Sequence, residues 1–372
     1  MSLYSNIDKQ IYYVKIIVGE GCPLRCTYCF VDKEKNRWIE FSTLEKLIEL
    51  LLYTPWHNKL LHLLWGEPLM YFPQIKHGIE YARKLEKELW KQLDISFCTS
   101  WVWFTPERLD FIRENDIYLA WSIDWPSHIH NRNRIMASWK SSFELVIWHK
   151  NSVVNAIKDT HLWIAMTVDE NCVEELFDSY RYLVNNEWFT CTVNIAPVDW
   201  KIWTKKTQKL WITELVKIHD FILDNIEKWR FLYLNALNKE FRFKMITNKN
   251  KWRCLWFYTE AFTNGDVLFN PFVNKEEDYS RYVVWNINDE DFIEKVDKYI
   301  GCKFDRESQI CKKCIWWYFE NQNEHLKNIQ MNSMLSKRDR VTEFYAKKIY
   351  LHAKKNHNFR KYIDLAKDYM YV

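Results

Sequence analysis

Between residues 11 and 198 the apolar positions follow two alternating rhythms. Short β-rich runs occupy 12–18 (YYVKIIV), 59–65 (KLLHLLW), 93–100 (LDISFCTS), 117–123 (IYLAWSI), 161–168 (HLWIAMTV) and 191–198 (CTVNIAPV). The stretches between them repeat their apolar residues every three or four positions, which predicts helices over 42–53, 72–89, 105–115, 143–153 and 173–186. Six such β-α repeats predict an α/β fold with a parallel sheet covered by helices. The count favours a partial (β/α)6, TIM-like barrel over an open sheet. In folds of this kind the chemistry sits at the C-terminal ends of the strands. Ser42 with Glu45 three residues on, and Thr105 with Arg108 in the same place, mark the starts of two helices.

A longer helical pattern covers about 206–236, and after it the texture changes. Residues of about 240–325 are irregular, with short β-like pieces (FRFKMIT, DVLFNPF, RYVVWNI) and four cysteines. This predicts a small second domain organised by metal more than by a large core. The expected division is a βα domain over 1–235, a small cysteine-bearing domain over 236–330 and a basic helical tail over 331–372.

Composition narrows the function class. With 48% hydrophobic and 27% charged residues the chain is globular. No run approaches the roughly 20 apolar residues that span a bilayer, and MSLYSNIDKQ lacks the pattern of a signal peptide, so a cytoplasmic protein without membrane attachment is expected. The net charge is +4 with both signs interspersed, which leaves no nucleic-acid footprint; the basic stretch 336–361 reads as a solvated helix face. Ten cysteines in a reducing compartment point to metal ligation before disulfides. Cys98, Cys172 and Cys191 stand alone and read as inert thiols. The other seven form two groups.

The first group lies in GEGCPLRCTYCF, directly after the first strand. Cys22, Cys26 and Cys29, spaced by four and three, put three thiolates on one tight loop, able to reach three corners of an iron–sulfur cube and leave the fourth iron without a protein ligand. A zinc loop is the alternative, although zinc loops usually carry a further Cys or His pair, and none follows nearby at the expected spacing.

CPLRCTYCF resembles the CxxxCxφC signature of the radical S-adenosylmethionine (SAM) superfamily, with Tyr28 as the aromatic before the last cysteine. The resemblance covers roughly residues 11–200. It implies a [4Fe–4S] cluster on the three cysteines, with SAM chelating the open iron and cleaved reductively to a 5′-deoxyadenosyl radical that abstracts hydrogen from a substrate. LLWGEPLM (63–70) resembles the GGEP motif that receives the cofactor's ammonium, with Gly66, Glu67 and Pro68 matching and Trp65 in place of glycine. CTSWVWFT (98–105) resembles a TTNG strand end, with Ser100 in the Asn position and Trp101 in the Gly position. In WSIDWPSHIHNRNR (121–134), which resembles the fourth-strand segment, Ser122 and Asp124 are implied at the ribose or carboxylate end of the cofactor and Arg134 at its carboxylate. Trp125 stands where glycine is expected. Singly, Glu67, Ser122 and Asp124 also read as ordinary strand-end and turn-capping residues; their order behind the cysteine loop favours the functional reading.

The second group, Cys254, Cys302, Cys311 and Cys314, resembles the auxiliary-cluster domain, called SPASM or Twitch, of radical enzymes that modify peptides and proteins. Gly265 fits that pattern, whereas Asn270 stands at its second cysteine and Glu320 at a later one. One four-cysteine site is therefore implied, holding a second [4Fe–4S] cluster or zinc; a degenerate domain without metal is the remaining reading. Formylglycine formation is disfavoured, because Asn270–Pro271 replaces the cysteine and the aspartate base. The resemblance implies a peptide or protein substrate and an electron donor such as flavodoxin or ferredoxin. A non-catalytic iron–sulfur or zinc binding module is the reading from a different class.

One anomaly runs through the chain. It has 6 glycines and 21 tryptophans, whereas an average usage of about 7% would give about 26 glycines. Trp65, Trp101 and Trp125 fall on glycine positions of three motifs, and Trp121, Trp139 and Trp188 lie in turn-like or strand-entry places. A single decoding difference would account for all of them, since some bacteria read UGA as glycine while a common alternative code translates it as tryptophan; the alternative, a Trp-rich protein whose aromatics fill the core, leaves the matching depletion of glycine unexplained.

Overall fold

A computed structural model describes residues 11, 13–29, 31, 33, 36–55, 57–157, 161–185, 192–198, 203–225, 258–268, 283, 285–299, 341, 344–345 and 348. They fall into two compact units. The first comprises the described residues within 1–25, 29–119 and 252–321; the second comprises those within 26–28, 120–251 and 322–372.

In the first unit the order is β1 (Tyr13–Ile17), α1 (Phe41–Tyr53), β2 (Asn58–Leu64), α2 (Phe72–Glu88), β3 (Gln92–Thr99) and α3 (Pro106–Glu114). The second unit continues with β4 (Tyr118–Ser122), whose first two residues lie in the first unit, then α4 (Ser127–Asn133), α5 (Phe143–Trp148) and α6 (Lys150–Ala156). It goes on through β5 (Leu162–Val168), α7 (Leu176–Asn185), β6 (Thr192–Pro197) and α8 (Lys205–Asn225). The α/β alternation and all six expected strands are present, each within one or two residues of its apolar run. The first unit also holds β7 (Tyr258–Ala261), β8 (Asp266–Leu268), β9 (Trp285–Asn286) and α9 (Phe292–Tyr299).

Strand order in the first unit is β3-β2-β1-β7-β8-β9, parallel from β3 through β7 and antiparallel beyond. β1 is buried along its length (YVKII), as a parallel strand covered on both sides should be. The apolar positions Leu44, Leu47, Ile48 and Leu51 of α1 recur at helical spacing and are fully buried, as are Ile75, Ile79 and Ala82 of α2. Gly78 lets the two helices close: a Cβ there would stand 2.8 Å from Leu44 Cδ2. In the second unit the order is β6-β5-β4, with β5 and β6 parallel from Trp163 opposite Thr192 to Val168 opposite Pro197.

Thr105 caps α3 as expected, its hydroxyl accepting the Arg108 amide at 3.3 Å. Ser42 does not cap α1. That helix begins one residue earlier, because the carbonyl of extended Glu40 already accepts the Leu44 amide at 3.0 Å and Phe41 stacks on His77 of α2. The single helix expected over 143–153 is two, turning at His149 (φ −88°, ψ 3°). The helical segment expected to about 236 is described to Asn225, and FRFKMIT, most of the 236–330 segment and most of the tail lie outside the described residues.

Lys59 shows how a charged side chain fits into β2. It is 2% exposed, and its ammonium donates to the carbonyls of Ile11 (2.6 Å), Thr54 (2.9 Å) and Pro55 (2.8 Å) and to the Thr54 hydroxyl (3.0 Å). It thereby ties the start of β1 to the end of α1. Among the described residues no helix is long and apolar enough to cross a membrane.

Candidate functional site

In the first unit the cysteine loop leaves β1 through Gly19, Glu20 and Gly21, and its entry is held from several directions. Gly21 donates its amide to the Tyr71 hydroxyl at 2.7 Å, which in turn donates to Asn36 at 2.9 Å. Glu20 accepts two bonds from the Arg37 guanidinium, at 3.0 and 2.7 Å. Beyond this frame Cys22 Sγ accepts the Leu24 amide at 3.4 Å. Cys22, Cys26 and Cys29 are each half-buried and not joined in disulfides. Free cysteine sulfurs are the donor type that an iron–sulfur cluster takes. Among the described residues no three His, Cys, Asp or Glu side chains stand as ligands of one metal ion; a cube that gives each thiolate its own iron holds its ligands farther apart than one ion does.

The end of β2 meets that loop. Gly66 has φ +61° and lies so close to it that a Cβ would stand 2.3 Å from the Gly21 carbonyl oxygen and 2.7 Å from that of Gly19. Glu67 donates its amide to the Gly21 carbonyl at 2.8 Å. Its buried carboxylate spans two strand ends: one oxygen accepts the Leu69 amide (3.2 Å) and the Thr99 hydroxyl (2.5 Å), the other the amide (2.8 Å) and hydroxyl (2.5 Å) of Ser100. Burial pushes this carboxyl above its ordinary pKa, against four hydrogen bonds that favour the charged form. Glu67 therefore braces β2 to β3, and the polar groups of Ser100 point at Glu67.

In the second unit Asp124, just past β4, is the centre of a buried network. It accepts the Tyr28 hydroxyl at 2.6 Å on one oxygen and, on the other, Arg134 Nη2 at 3.0 Å and the Thr167 amide at 3.0 Å. The Arg134 guanidinium lies 5.4 Å from the Tyr28 ring centroid and also reaches the Ala165 carbonyl at 3.2 Å. Burial, with Asp124 adding to it, keeps the Tyr28 phenol well above its ordinary pKa, so it remains a proton donor. Burial alone would weaken the charge on Arg134, but Asp124 outweighs it and holds the guanidinium well above its ordinary value. His130 accepts the Asp124 amide through Nδ1 at 3.2 Å; burial first, then the Arg134 charge, lower its pKa to about 4, so the ring is neutral. Arg134 Nε is buried with no hydrogen-bond partner among the described residues, a donor suited to a ligand carboxylate. Ser122 closes β4 and is half-buried.

Comparison with known proteins decides what this strand-end arrangement belongs to. Residues 16–176 match the Radical SAM superfamily. That segment, less than half of the chain, is similar to a radical SAM domain. A serine-type anaerobic sulfatase-maturating enzyme of Bacteroides thetaiotaomicron is 28% identical over 183 residues, 44% of this chain and 41% of that protein, so the chain spans less than half of the relative's length. Among solved structures, anSMEcpe with bound AdoMet superimposes with a TM-score of 0.65 at 16% identity, covering 86% of this chain and all of that one. The same protein with AdoMet and the Cp18Cys peptide gives 0.62 at 17% identity, covering 86% and 99%. At these identities the likeness is one of fold, and it agrees with the α/β partial-barrel class. The superfamily whose model matches this segment implies an iron–sulfur cluster and SAM, and both that match and the maturase relative are similarities to enzymes.

The residues singled out in sequence fall into the two units. Cys22, Cys29, Gly66, Glu67 and Ser100 lie in the first; Cys26, Tyr28, Ser122, Asp124 and Arg134 lie in the second. Cys254, Cys302, Cys311, Cys314, Asn270, Pro271, Glu320 and Cys191 lie outside the described residues. Cys172 is 4% exposed, with its thiol pushed up to about 12 by burial, consistent with an inert cysteine. Sequence reasoning passed over Tyr71, Asn36, Thr99 and His130. No short motif marks the first two, since Tyr71 meets Gly21 from 50 positions away and Asn36 meets Tyr71 from 35; His130 was visible inside the 121–134 segment but had no assigned role.

Proposed function

We propose that the chain is a radical SAM enzyme that holds one [4Fe–4S] cluster on Cys22, Cys26 and Cys29 and withdraws a hydrogen atom from a peptide or protein substrate. The cluster and SAM, when bound, supply the electron and the carbon–sulfur cleavage that give a 5′-deoxyadenosyl radical. The observation that carries this reading is the order of strand-end groups behind the thiolate triad: the Gly66–Glu67 turn locked onto the cysteine loop, then Ser100, then the Tyr28–Asp124–Arg134 network, within a segment that matches the Radical SAM superfamily.

Each group has a distinct task in this reading. The three thiolates hold three irons and leave the fourth for the cofactor. The backbone at Gly66, packed onto the cysteine loop as only glycine allows, would receive the cofactor's ammonium, and Glu67 keeps that backbone in place by bracing β2 to β3. Arg134 offers its Nε–H to the cofactor's carboxylate while Asp124 fixes the orientation of its other nitrogens. Ser122 serves the ribose side.

A peptide or protein substrate is favoured by the maturase relative and by the peptide complex of the fold neighbour. Formylglycine formation is disfavoured as the reaction, because Asn270–Pro271 lacks the carboxylate base that the family resemblance implies. Cys254, Cys302, Cys311 and Cys314 hold one further centre, a second [4Fe–4S] cluster or zinc, and a flavodoxin or ferredoxin donates the electron in the reducing cytoplasm. The test is anaerobic reconstitution with iron and sulfide followed by reduction in the presence of SAM. Methionine and 5′-deoxyadenosine are expected, and their loss on changing the three cysteines to Ala. A non-catalytic binding module would hold metal and release neither product.

A further inference from the structure

Among the described residues six that are not glycine have positive φ: Asn36 (39°), Trp65 (70°), Trp90 (52°), Trp101 (62°), Asp116 (52°) and Trp139 (62°). The left-handed region is open to glycine, tolerated by Asn and Asp through their short polar side chains, and unfavourable for a bulky side chain. Asn36 and Asp116 follow that rule. The other four are all tryptophan, although with 21 tryptophans in 372 residues six positions taken at random would hold fewer than one.

The local geometry at these four positions is that of glycine sites. Trp90 follows the C-cap of α2: its amide reaches the Lys87 carbonyl at 3.5 Å and the Lys91 amide reaches Glu86 at 3.0 Å, the paired bonds of a Schellman motif with Trp90 in the place glycine usually takes. The next helix, α3, ends the same way with Asp116 in that place, its amide on Arg113 at 3.2 Å and Ile117 on Ile112 at 3.2 Å. Trp139 ends a tight turn in which its amide bonds the Met136 carbonyl at 2.9 Å and the Met136 amide bonds the Lys140 carbonyl at 3.1 Å, the arrangement of a type I turn followed by a left-handed bulge residue, where glycine is favoured. Trp65 precedes Gly66 at the end of β2, so two left-handed residues stand in succession. Trp101 turns the chain out of β3, its amide on Thr99 Oγ1 at 3.0 Å and its carbonyl on the Phe104 amide at 3.2 Å.

Trp101 is fully buried and Trp65 packs edge-on against Phe262 at 6.2 Å, but at the other two positions packing does not account for the indole. Trp90 is 85% and Trp139 80% exposed, so neither large apolar side chain gains burial in return for its backbone strain. Trp203 is the contrast. It is 1% exposed, donates its indole N–H to the Val198 carbonyl at 2.8 Å and packs edge-on against Trp211 at 5.8 Å, as a native tryptophan should.

We propose that positions 65, 90, 101 and 139 are glycine in the protein as its source makes it, each spelled by a UGA codon that the source reads as glycine. The backbone carries this inference for Trp65, Trp101 and Trp139 and adds Trp90, which matches no motif; Trp121 and Trp125 are not among the positive-φ residues, and Trp188 lies outside the described ones. With glycine at 65, β2 ends in two successive residues without side chains, and the backbone beside the cysteine loop opens to close approach by a ligand.

The gene and the native protein test this without reference to activity. UGA at codons 65, 90, 101 and 139, with peptides from the source organism carrying glycine there, is the expected result; UGG at any of the four overturns the proposal. A second test uses the protein as written. Trp90→Gly and Trp139→Gly should each raise the thermal midpoint, because they relieve strain and give up little buried surface. Trp148→Gly, at an equally exposed tryptophan that is the last helical residue of α5 (81% exposed) and has no positive φ, should lower it. A fall in the midpoint for both Trp90→Gly and Trp139→Gly would also overturn it.

Discussion

The Tyr28 hydroxyl donates a 2.6 Å hydrogen bond to the Asp124 carboxylate, joining the aromatic of the cysteine loop to the residue just past β4. The same carboxylate holds the Arg134 guanidinium at 3.0 Å, and all three residues are buried. Removing the two partners should have unequal consequences. Asp124→Ala leaves a buried guanidinium without its counter-charge and should cost about 3–5 kcal/mol, whereas Tyr28→Phe removes one neutral donor and should cost about 1–3 kcal/mol. Urea unfolding of both variants gives the order; equal losses would mean that the charge pair is not what holds the network.

His130 gives this network a pH signature. Its pKa is lowered from 6.5 to about 4. The unfolded chain therefore takes up a proton near pH 6.5, while the folded one resists until about pH 4. Stability from this group is complete above the upper value and is lost as pH falls toward the lower, about 3 kcal/mol in all at about 1.4 kcal/mol per pKa unit. His130→Asn, which can still accept the Asp124 amide, should flatten the stability profile between pH 6.5 and 4. An unchanged profile would place the titration elsewhere.

Glu67 should behave as a brace. Glu67→Gln turns one of its two acceptor oxygens into a donor facing a hydroxyl or amide of Thr99 or Ser100, and should lower the stability of the metal-free protein by about 1–3 kcal/mol. A residue that served only to bind cofactor would leave the metal-free protein unchanged, so thermal unfolding before reconstitution separates the two roles.

Much of this architecture could be read from the chain because parallel strands and amphipathic helices write their burial into the residue pattern. β5 alternates buried and half-buried residues over LWIAMTV, and α1 buries Leu44, Leu47, Ile48 and Leu51 at helical intervals. The cysteine spacing and the order of Glu67, Ser100 and Asp124 were legible because each follows a strand end, whereas Arg134 caps the end of α4 ten residues past Asp124. The contacts that fix them were not. Tyr71 meets Gly21 from 50 positions away, and Thr99 meets Glu67 from 32, through side-chain bonds that no local pattern encodes. Parallel pairing of β7 with β1 was equally hidden, since YTEA is too short and too polar to signal a strand. Ser42 misled because a capping residue fits any position near a helix start, and the Glu40 carbonyl had already opened the helix.

The second cysteine group should hold metal independently of the first. With Cys22, Cys26 and Cys29 changed to Ala, the reconstituted protein should still carry iron with sulfide, or zinc, on Cys254, Cys302, Cys311 and Cys314. Elemental analysis of that variant decides it, and a folded, metal-free protein would remove the auxiliary centre from the account.

The central claim is the cleavage of SAM at the first cysteine group, and its most direct measurement is 5′-deoxyadenosine released on reduction of the anaerobically reconstituted protein. Both the chain as written and the Trp65→Gly/Trp101→Gly form should be assayed, each beside its Cys22/Cys26/Cys29→Ala counterpart. The account predicts that 5′-deoxyadenosine appears with the cysteines in place, more of it from the glycine form, and none when they are removed. Absence of the product from both cluster-loaded forms, or equal release without the three cysteines, would contradict it.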